Sequence, residues 1–381
     1  MKKESILLSF SKGTRSFIFS MIAILTPYYL SSLNVSVFYI GVIIFINLTA
    51  TAIFVLFYNY LKIGVKVRIL VLSVLMVLSF IIIYLTNNVI FYVIALIIGG
   101  ISLSGRDLSA YQPIEQYSIS KFEPVLKKKN FAFSIYNFGS YAAAAIAAGT
   151  LFLYSFSNYK LLFIILAILS VIQMIPYLIV KFPEYNKTRI KTKISQDTKK
   201  HVYVLSSLFA LDSIGGGMIS TSLLTLWFKY VYNISLASAG LIFIIVNILT
   251  AVSIIISSRI SGKIGLIRTM VYTHLISNIF LILMPVYHYL IFSEIFLYLK
   301  QTTSQMDVPA RDSFLNTIIP EDDRVKTNSV FTSVRTTMQI PSPLLGALLI
   351  EIYPPALLFF SGGIKVLYDL LLYVKYRWYN D

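Results

Sequence analysis

Residues 182–200 read FPEYNKTRIKTKISQDTKK, and no other stretch of this length in the chain is as polar. On either side lie six apolar runs of about twenty residues, each long enough as a helix to cross a hydrocarbon core of roughly 30 Å. They fall at about 10–32, 37–59, 68–87, 89–112, 130–155 and 159–181, then at about 201–229, 235–258, 266–286, 289–311, 326–350 and 354–376. The 381 residues are 57% hydrophobic and 13% charged, with a mean hydropathy of +0.79, which leaves too little polar surface to cover a soluble core. The pattern predicts an all-α integral membrane protein. Twelve transmembrane helices are expected in two six-helix bundles, 1–181 and 201–381, joined by a flexible cytoplasmic linker at 182–200.

A net charge of +16 raises the question of nucleic acid, which the placement of the charges answers. Lys and Arg fall in alternate connections: Lys2, Lys3, Lys12 and Arg15 before the first run, Lys62, Lys66 and Arg68 after the second, and Lys121 and Lys127–Lys129 after the fourth. The linker, Arg259, Lys263 and Arg268, Arg324 and Lys326, and Lys375 and Arg377 continue the alternation. This is the positive-inside pattern, so the cell membrane with both termini in the cytoplasm is expected, with anionic lipid headgroups as partners and no nucleic acid. The chain has no cysteine, which excludes a disulfide framework and thiolate metal sites. No phosphate-binding loop and no His-Glu-x-x-His motif is present; neither an enzyme, a metal nor a cofactor is expected, and a monomer is.

The two halves also repeat each other at a spacing of about two hundred residues. Asn34 is echoed by Asn233, Asn47 by Asn247, Lys62-Ile63-Gly64 by Lys263-Ile264-Gly265, Arg106-Asp107 by Arg311-Asp312, and Asn130 by Asn328. Six crossings separate the copies, so the second enters the membrane the same way up. These are parallel repeats, which excludes the inverted-repeat folds. Two parallel six-span bundles with a basic central loop and basic turns after spans two and eight resemble the major facilitator superfamily. Its Gly-x-x-x-Asp-Arg-x-Gly-Arg-Arg turn survives here only as Lys62-x-Gly64 with Lys66 and Lys263-x-Gly265 with Arg268. The acidic position falls on Leu61 and Gly262, and the first Gly on Phe57 and Ser258. The compact length looks like the smaller microbial exporters of that family. The resemblance implies a cytoplasmic gate built from Arg106, Asp107, Arg311, Asp312, Lys62 and Lys263; the bland alternative is solvated helix-end charge.

Asp212, Lys300 and Arg335 each lie about ten residues inside an expected span, near mid-membrane, where charge persists when it faces water or an opposite charge. Asp307 stands two turns from Lys300, with Thr303 and Ser304 between and Arg311 beyond, so span ten is expected to present one polar stripe. A buried ion-pair network is the structural alternative. The first half offers neutral groups at this depth: Asn47, Tyr136, Asn137 and Ser140, with Tyr28 nearer the outside. His274 is read as a packing histidine, because span nine is peripheral in the family. Gly215-Gly216-Gly217 reads as a hinge after Asp212, Pro341 and Pro343 as a kink, and Ala142–Ala148 with Gly149 as a packing seam.

The resulting expectation is a secondary active transporter that moves a small organic solute by alternating access. Proton-coupled efflux ranks first, with Asp212 or Asp307 titrating. The alternatives are uptake of an anionic metabolite, or an uncoupled scramblase or receptor on the same scaffold.

Overall fold

The structure, a computed structural model, describes residues 1–58, 63–105, 107, 109–153, 158–183 and 195–379. Lys62, Arg106 and most of the linker therefore lie outside the described residues, as do the side chains of 56–58, 126, 127, 130, 197, 254, 255, 257–262, 321, 322 and 325. Helices account for the architecture: α1 (Lys3–Ser32), α2 (Val37–Tyr58), α3 (Val65–Leu85), α4 (Val89–Ile98), α5 (Tyr111–Phe122), α6 (Leu126–Leu153), α7 (Tyr159–Ile179) and α8 (Gln196–Met218). Then follow α9 (Thr221–Tyr232), α10 (Leu236–Ile264), α11 (Leu266–Leu283), α12 (Leu290–Thr303), α13 (Asp307–Ile318), α14 (Glu321–Gln339), α15 (Ser342–Ile352) and α16 (Pro354–Tyr376).

Seven of these are long and apolar enough to cross a membrane, eight if α8 and α9 count as one span bent by 44°. The remaining expected crossings depart from a simple apolar helix for visible reasons. α1 carries Lys12 and Arg15; the expected span four, 89–112, is helical only to Ile98, where α4 ends, and α5 begins at its far end, at Tyr111; span ten breaks at Ser304–Met306 into α12 and α13; span eleven is the polar α14 followed by α15. The break between α12 and α13 also interrupts the stripe expected from Lys300 to Arg311.

The chain forms two compact units: Met1–Lys187 with Ser220–Asn247, and Thr188–Ile219 with Ile248–Asp381. In the first, α1 packs on α5, α6, α7 and α9. The small-residue run of α6 is a seam on two sides. Ser16 meets Ser140 at 2.6 Å and Ser20 Oγ donates to the Ala144 carbonyl at 3.4 Å; on the other side a Cβ on Gly240 would stand 2.6 Å from the Ala148 carbonyl oxygen. Asn34 (φ 60°) and Asn233 (φ 49°) are the non-glycine residues with positive φ among the described ones. Each turns the chain out of the first span of its half, and asparagine tolerates the left-handed region better than most residues. That is the physical reason for this pair of echoed asparagines.

In the second unit α8 packs on α14, α15 and α16, and α11 on α12, α13 and α16. Phe209, Met270, Phe314, Phe331, Leu372 and Tyr376 lie in its core. The helix runs unbroken through Gly215-Gly216-Gly217, against the expected interruption there, and ends at Met218, with the 44° bend to α9 at Ile219–Ser220. Close packing accounts for two of the glycines. A Cβ on Gly215 would stand 2.6 Å from Lys365 Cγ and 3.0 Å from the Ser361 carbonyl oxygen, and one on Gly217 2.6 Å from Ser342 Cβ.

Candidate functional site

α8 places Asp212 on the face that meets α11 and α16. The approach of α16 is close because Gly215 adds no side chain, and Ser361 Oγ ties the two helices by donating to the Gly215 carbonyl at 2.8 Å. Lys365 Nζ then reaches Asp212 Oδ1 at 2.6 Å. One turn along α16 stands Asp369, and one turn apart on α11 stand His274 and Asn278. His274 Nε2 lies 3.6 Å from Asp212 Oδ1, an ion-pair distance and not a hydrogen bond. On its other side Nδ1 meets Asp369 Oδ1 at 2.7 Å, and Asn278 Nδ2 donates to Asp369 Oδ2 at 2.8 Å. Tyr368 presents its ring edge-on to the imidazole, centroids 5.7 Å apart.

Exposure falls along this chain of groups. The Asp212 side chain is 18% exposed, Lys365 10%, His274 7% and Asp369 0%. The imidazole thus stands between a carboxylate within reach of water and one sealed from it. A carboxylate, an ammonium, an imidazole and a second, sealed carboxylate thus form one continuous polar group inside this unit.

Other expected residues make no direct contact with this group, although Arg311 and Arg335 lie within electrostatic range of Asp212. Arg311 pairs with Asp307 at 3.0 Å and approaches Asp312 at 3.8 Å. Lys300 Nζ donates to Gln301 Oε1 at 3.2 Å, and Asp212 takes its lysine from α16 instead. Arg335 stacks its guanidinium 3.9 Å over the Phe209 ring, with Nε and Nη2 buried and without a hydrogen-bond partner among the described residues. Lys263, at the end of α10, is exposed, as is the Asp312 side chain, at 65%.

The first unit is not neutral inside. Arg15 bonds Glu115 at 2.6 and 3.1 Å and Asp107 at 2.8 Å, and Lys12 adds a 3.0 Å pair to Asp107. Tyr136 and Tyr177 donate to Glu115 at 2.6 and 2.5 Å, and the Tyr111 ring covers the Arg15 guanidinium at 4.5 Å. Tyr136 therefore points into the unit's interior, while Asn137 is exposed. Asn47 holds the break in span four: its Nδ2 donates to the Ile101 carbonyl at 2.9 Å, and its Oδ1 accepts from the Leu103 N–H at 3.0 Å. Asp107 is drawn into the Arg15 cluster, unlike its echo Asp312.

Sequence reasoning missed Lys365 and Asp369, and it read His274 as packing. The signal was present: Lys365 lies halfway along α16, and Asp369 follows one turn later. The depth argument that singled out Asp212 applies to them equally. Arg15 falls among the basic residues ahead of the first apolar run, yet about three turns of α1 precede it and the run follows it, which puts it well inside a helix.

A family model described as Major Facilitator Superfamily matches residues 8–299. Among solved structures, a POT family transporter in complex with 5-aminolevulinic acid aligns at TM-score 0.76 and 14% identity over 97% of this chain and 95% of that one. The nucleoside transporter NupG aligns at 0.73 and 11% over all of both chains, and a bacterial homologue of the human lysosomal transporter Spinster at 0.67 and 13% over 98% and 96%. At these identities the likeness is one of fold. An uncharacterized membrane protein of Saccharomyces cerevisiae is 29% identical over 182 residues, 47% of this chain and 41% of that protein. The chain thus spans less than half the length of that curated relative. With the family model covering most of its length, the chain belongs to the Major Facilitator Superfamily and is a multi-pass membrane protein.

Proposed function

We propose that the chain is a proton-coupled secondary transporter of a small organic solute in the cell membrane, with Asp212 as the group that takes the proton from water. The observation that carries this reading is the chain from Lys365 through Asp212 and His274 to the sealed Asp369. A proton arriving at Asp212 frees Lys365 and lets the imidazole change its bond to the second carboxylate. Binding of a proton is thereby tied to the packing of α8, α11 and α16. If solute and proton compete for this group, a proton gradient drives export, the direction suggested by the likeness to small exporters. Uptake follows if they bind together.

In this reading α1, α4 with the non-helical stretch that follows it, α8 with α9, α12 with α13, and α14 with α15 complete twelve spans in two parallel bundles, with α5 running beyond the expected end of span four at 112. Irregular and polar crossings are tolerated in a membrane where they are buried in protein, as around Arg15 and Asn47, or line water, which is the role proposed here for α8, α13 and α14. The alternation of basic connections supports cytoplasmic termini. Asp312 and Lys263, both exposed, are left to serve a cytoplasmic gate. The test is reconstitution into vesicles with a compound found by ligand stabilisation. Flux that follows an imposed pH gradient supports the reading; lipid redistribution without a gradient, and no solute flux, would replace it with a scramblase.

A further inference from the structure

We infer that Arg335 is the docking point for an anionic group on the transported solute, a carboxylate, phosphate or sulfonate. The inference deepens the transporter reading and rests on it. Arg335 lies in the last third of α14 with two guanidinium nitrogens buried and without a hydrogen-bond partner among the described residues. A guanidinium cannot shed its charge and offers five donors in a planar fork. Burial of such a group without an acceptor is unfavourable, and stacking on the Phe209 ring satisfies its face but none of its N–H donors.

Three acidic groups lie within electrostatic range, Asp212, Asp307 and Asp312, and none forms an ion pair with Arg335 among the described residues; Asp312 is exposed, and the other two hold other cations. Asp212 holds Lys365 at 2.6 Å and Asp307 holds Arg311 at 3.0 Å. Arg335 also lies within electrostatic range of Arg311, a second positive charge. The helix that carries the fork is polar on its exposed surface: Thr332, Ser333, Thr336 and Thr337 are exposed. α16 shows by contrast what a lipid-facing surface of this unit looks like, with Phe360, Leu367, Leu370 and Val374 exposed. A helix that exposes hydroxyls and buries an unsatisfied guanidinium suits a water-filled pathway, where the missing acceptor arrives with the cargo. A carboxylate or phosphate accepts two parallel N–H bonds from such a fork.

The test uses the purified full chain and its unfolding temperature at constant ionic strength. The probes are acetate, citrate, inorganic phosphate, benzoate and benzenesulfonate, set beside acetamide, benzamide and benzylamine. At least one anion is expected to stabilise saturably while its neutral counterpart does not, and Arg335→Gln should weaken that binding about 10- to 100-fold, as for loss of a charge-assisted hydrogen bond. Should Arg335→Gln fail to fold, Arg335→Lys carries the test, since it keeps the charge but loses the fork and should weaken the same anion several-fold. The inference is overturned if no anion stabilises the wild type, if neutral counterparts do so equally, or if the variants bind the anion unchanged. An anion that binds at Arg335 but never crosses a vesicle membrane would sink the transporter reading alone. A neutral solute whose pH-driven flux survives Arg335→Gln would sink this inference alone.

Discussion

Removal of one partner from the Asp212–Lys365 pair and removal of both should differ sharply. Lys365→Met leaves a carboxylate of low exposure facing His274 alone, and about 3 kcal/mol of stability should be lost. The double variant Asp212→Leu with Lys365→Met should recover to within ~1 kcal/mol of the wild type in thermal unfolding. Equal losses in both would mean the pair is not coupled. Glu123, in the connection after α5, allows a cleaner pH test. The Lys2 backbone N–H and the Ser5 hydroxyl donate to its carboxylate at 2.6 and 3.1 Å, which holds it below the usual glutamate range. Because the folded form titrates lower than the unfolded one, this contribution is full above about pH 4.3 and fades as pH falls through the folded value. Amide-exchange protection at the start of α1 should fall with it, and Glu123→Gln should remove that pH dependence. At this scale the sequence was partly legible. Depth along a span found Asp212, and it had the power to find Lys365. It had no means of showing that Asp107 turns inward to Arg15, since that contact joins residues far apart in the chain.

The packing of α8 on α16 makes its adjacent glycines unequal. Gly215→Ala would push against Lys365 Cγ and the Ser361 carbonyl, parting the helices that bring Lys365 to Asp212, at about 1–3 kcal/mol. Gly216→Ala meets nothing nearer than Lys365 Nζ at 3.8 Å, and it should be neutral or stabilise by up to ~1 kcal/mol through helix propensity. A matched pair of unfolding curves decides this, and equal effects would contradict the packing account. Element boundaries show where periodicity stops being informative. The apolar helices α2, α3, α6, α7, α10, α11 and α16 were legible because lipid demands long unbroken runs. The broken crossings were not, because a buried asparagine on α2 holds the irregular stretch of span four, a contact that no local pattern encodes. The run of three glycines was misplaced as a hinge for a related reason: glycine also marks where another helix comes close.

For the whole molecule, if the two sequence halves rock apart as proposed, α9 parts from α1, although the two helices pack in one compact unit here. Ser222 Oγ bonds the Ala23 carbonyl at 2.9 Å, and the chain has no cysteine of its own. Ala23→Cys with Ser222→Cys should form a disulfide that stops solute flux, and reductant should restore it. Full flux in the oxidised protein would mean that this contact never opens. The family was legible because twelve apolar runs, a basic central loop and basic turns recur over nearly the whole chain, a pattern that needs no single conserved motif. The asymmetry of charge was legible only in part, since each unit hides its ion cluster where its own helices meet. The most direct measurement is solute flux in vesicles against imposed pH gradients, for wild type and Asp212→Asn side by side. Flux that follows the gradient in the wild type, and exchange without gradient-driven accumulation in Asp212→Asn, is the expected result. Accumulation driven equally by the gradient in both proteins would contradict the account.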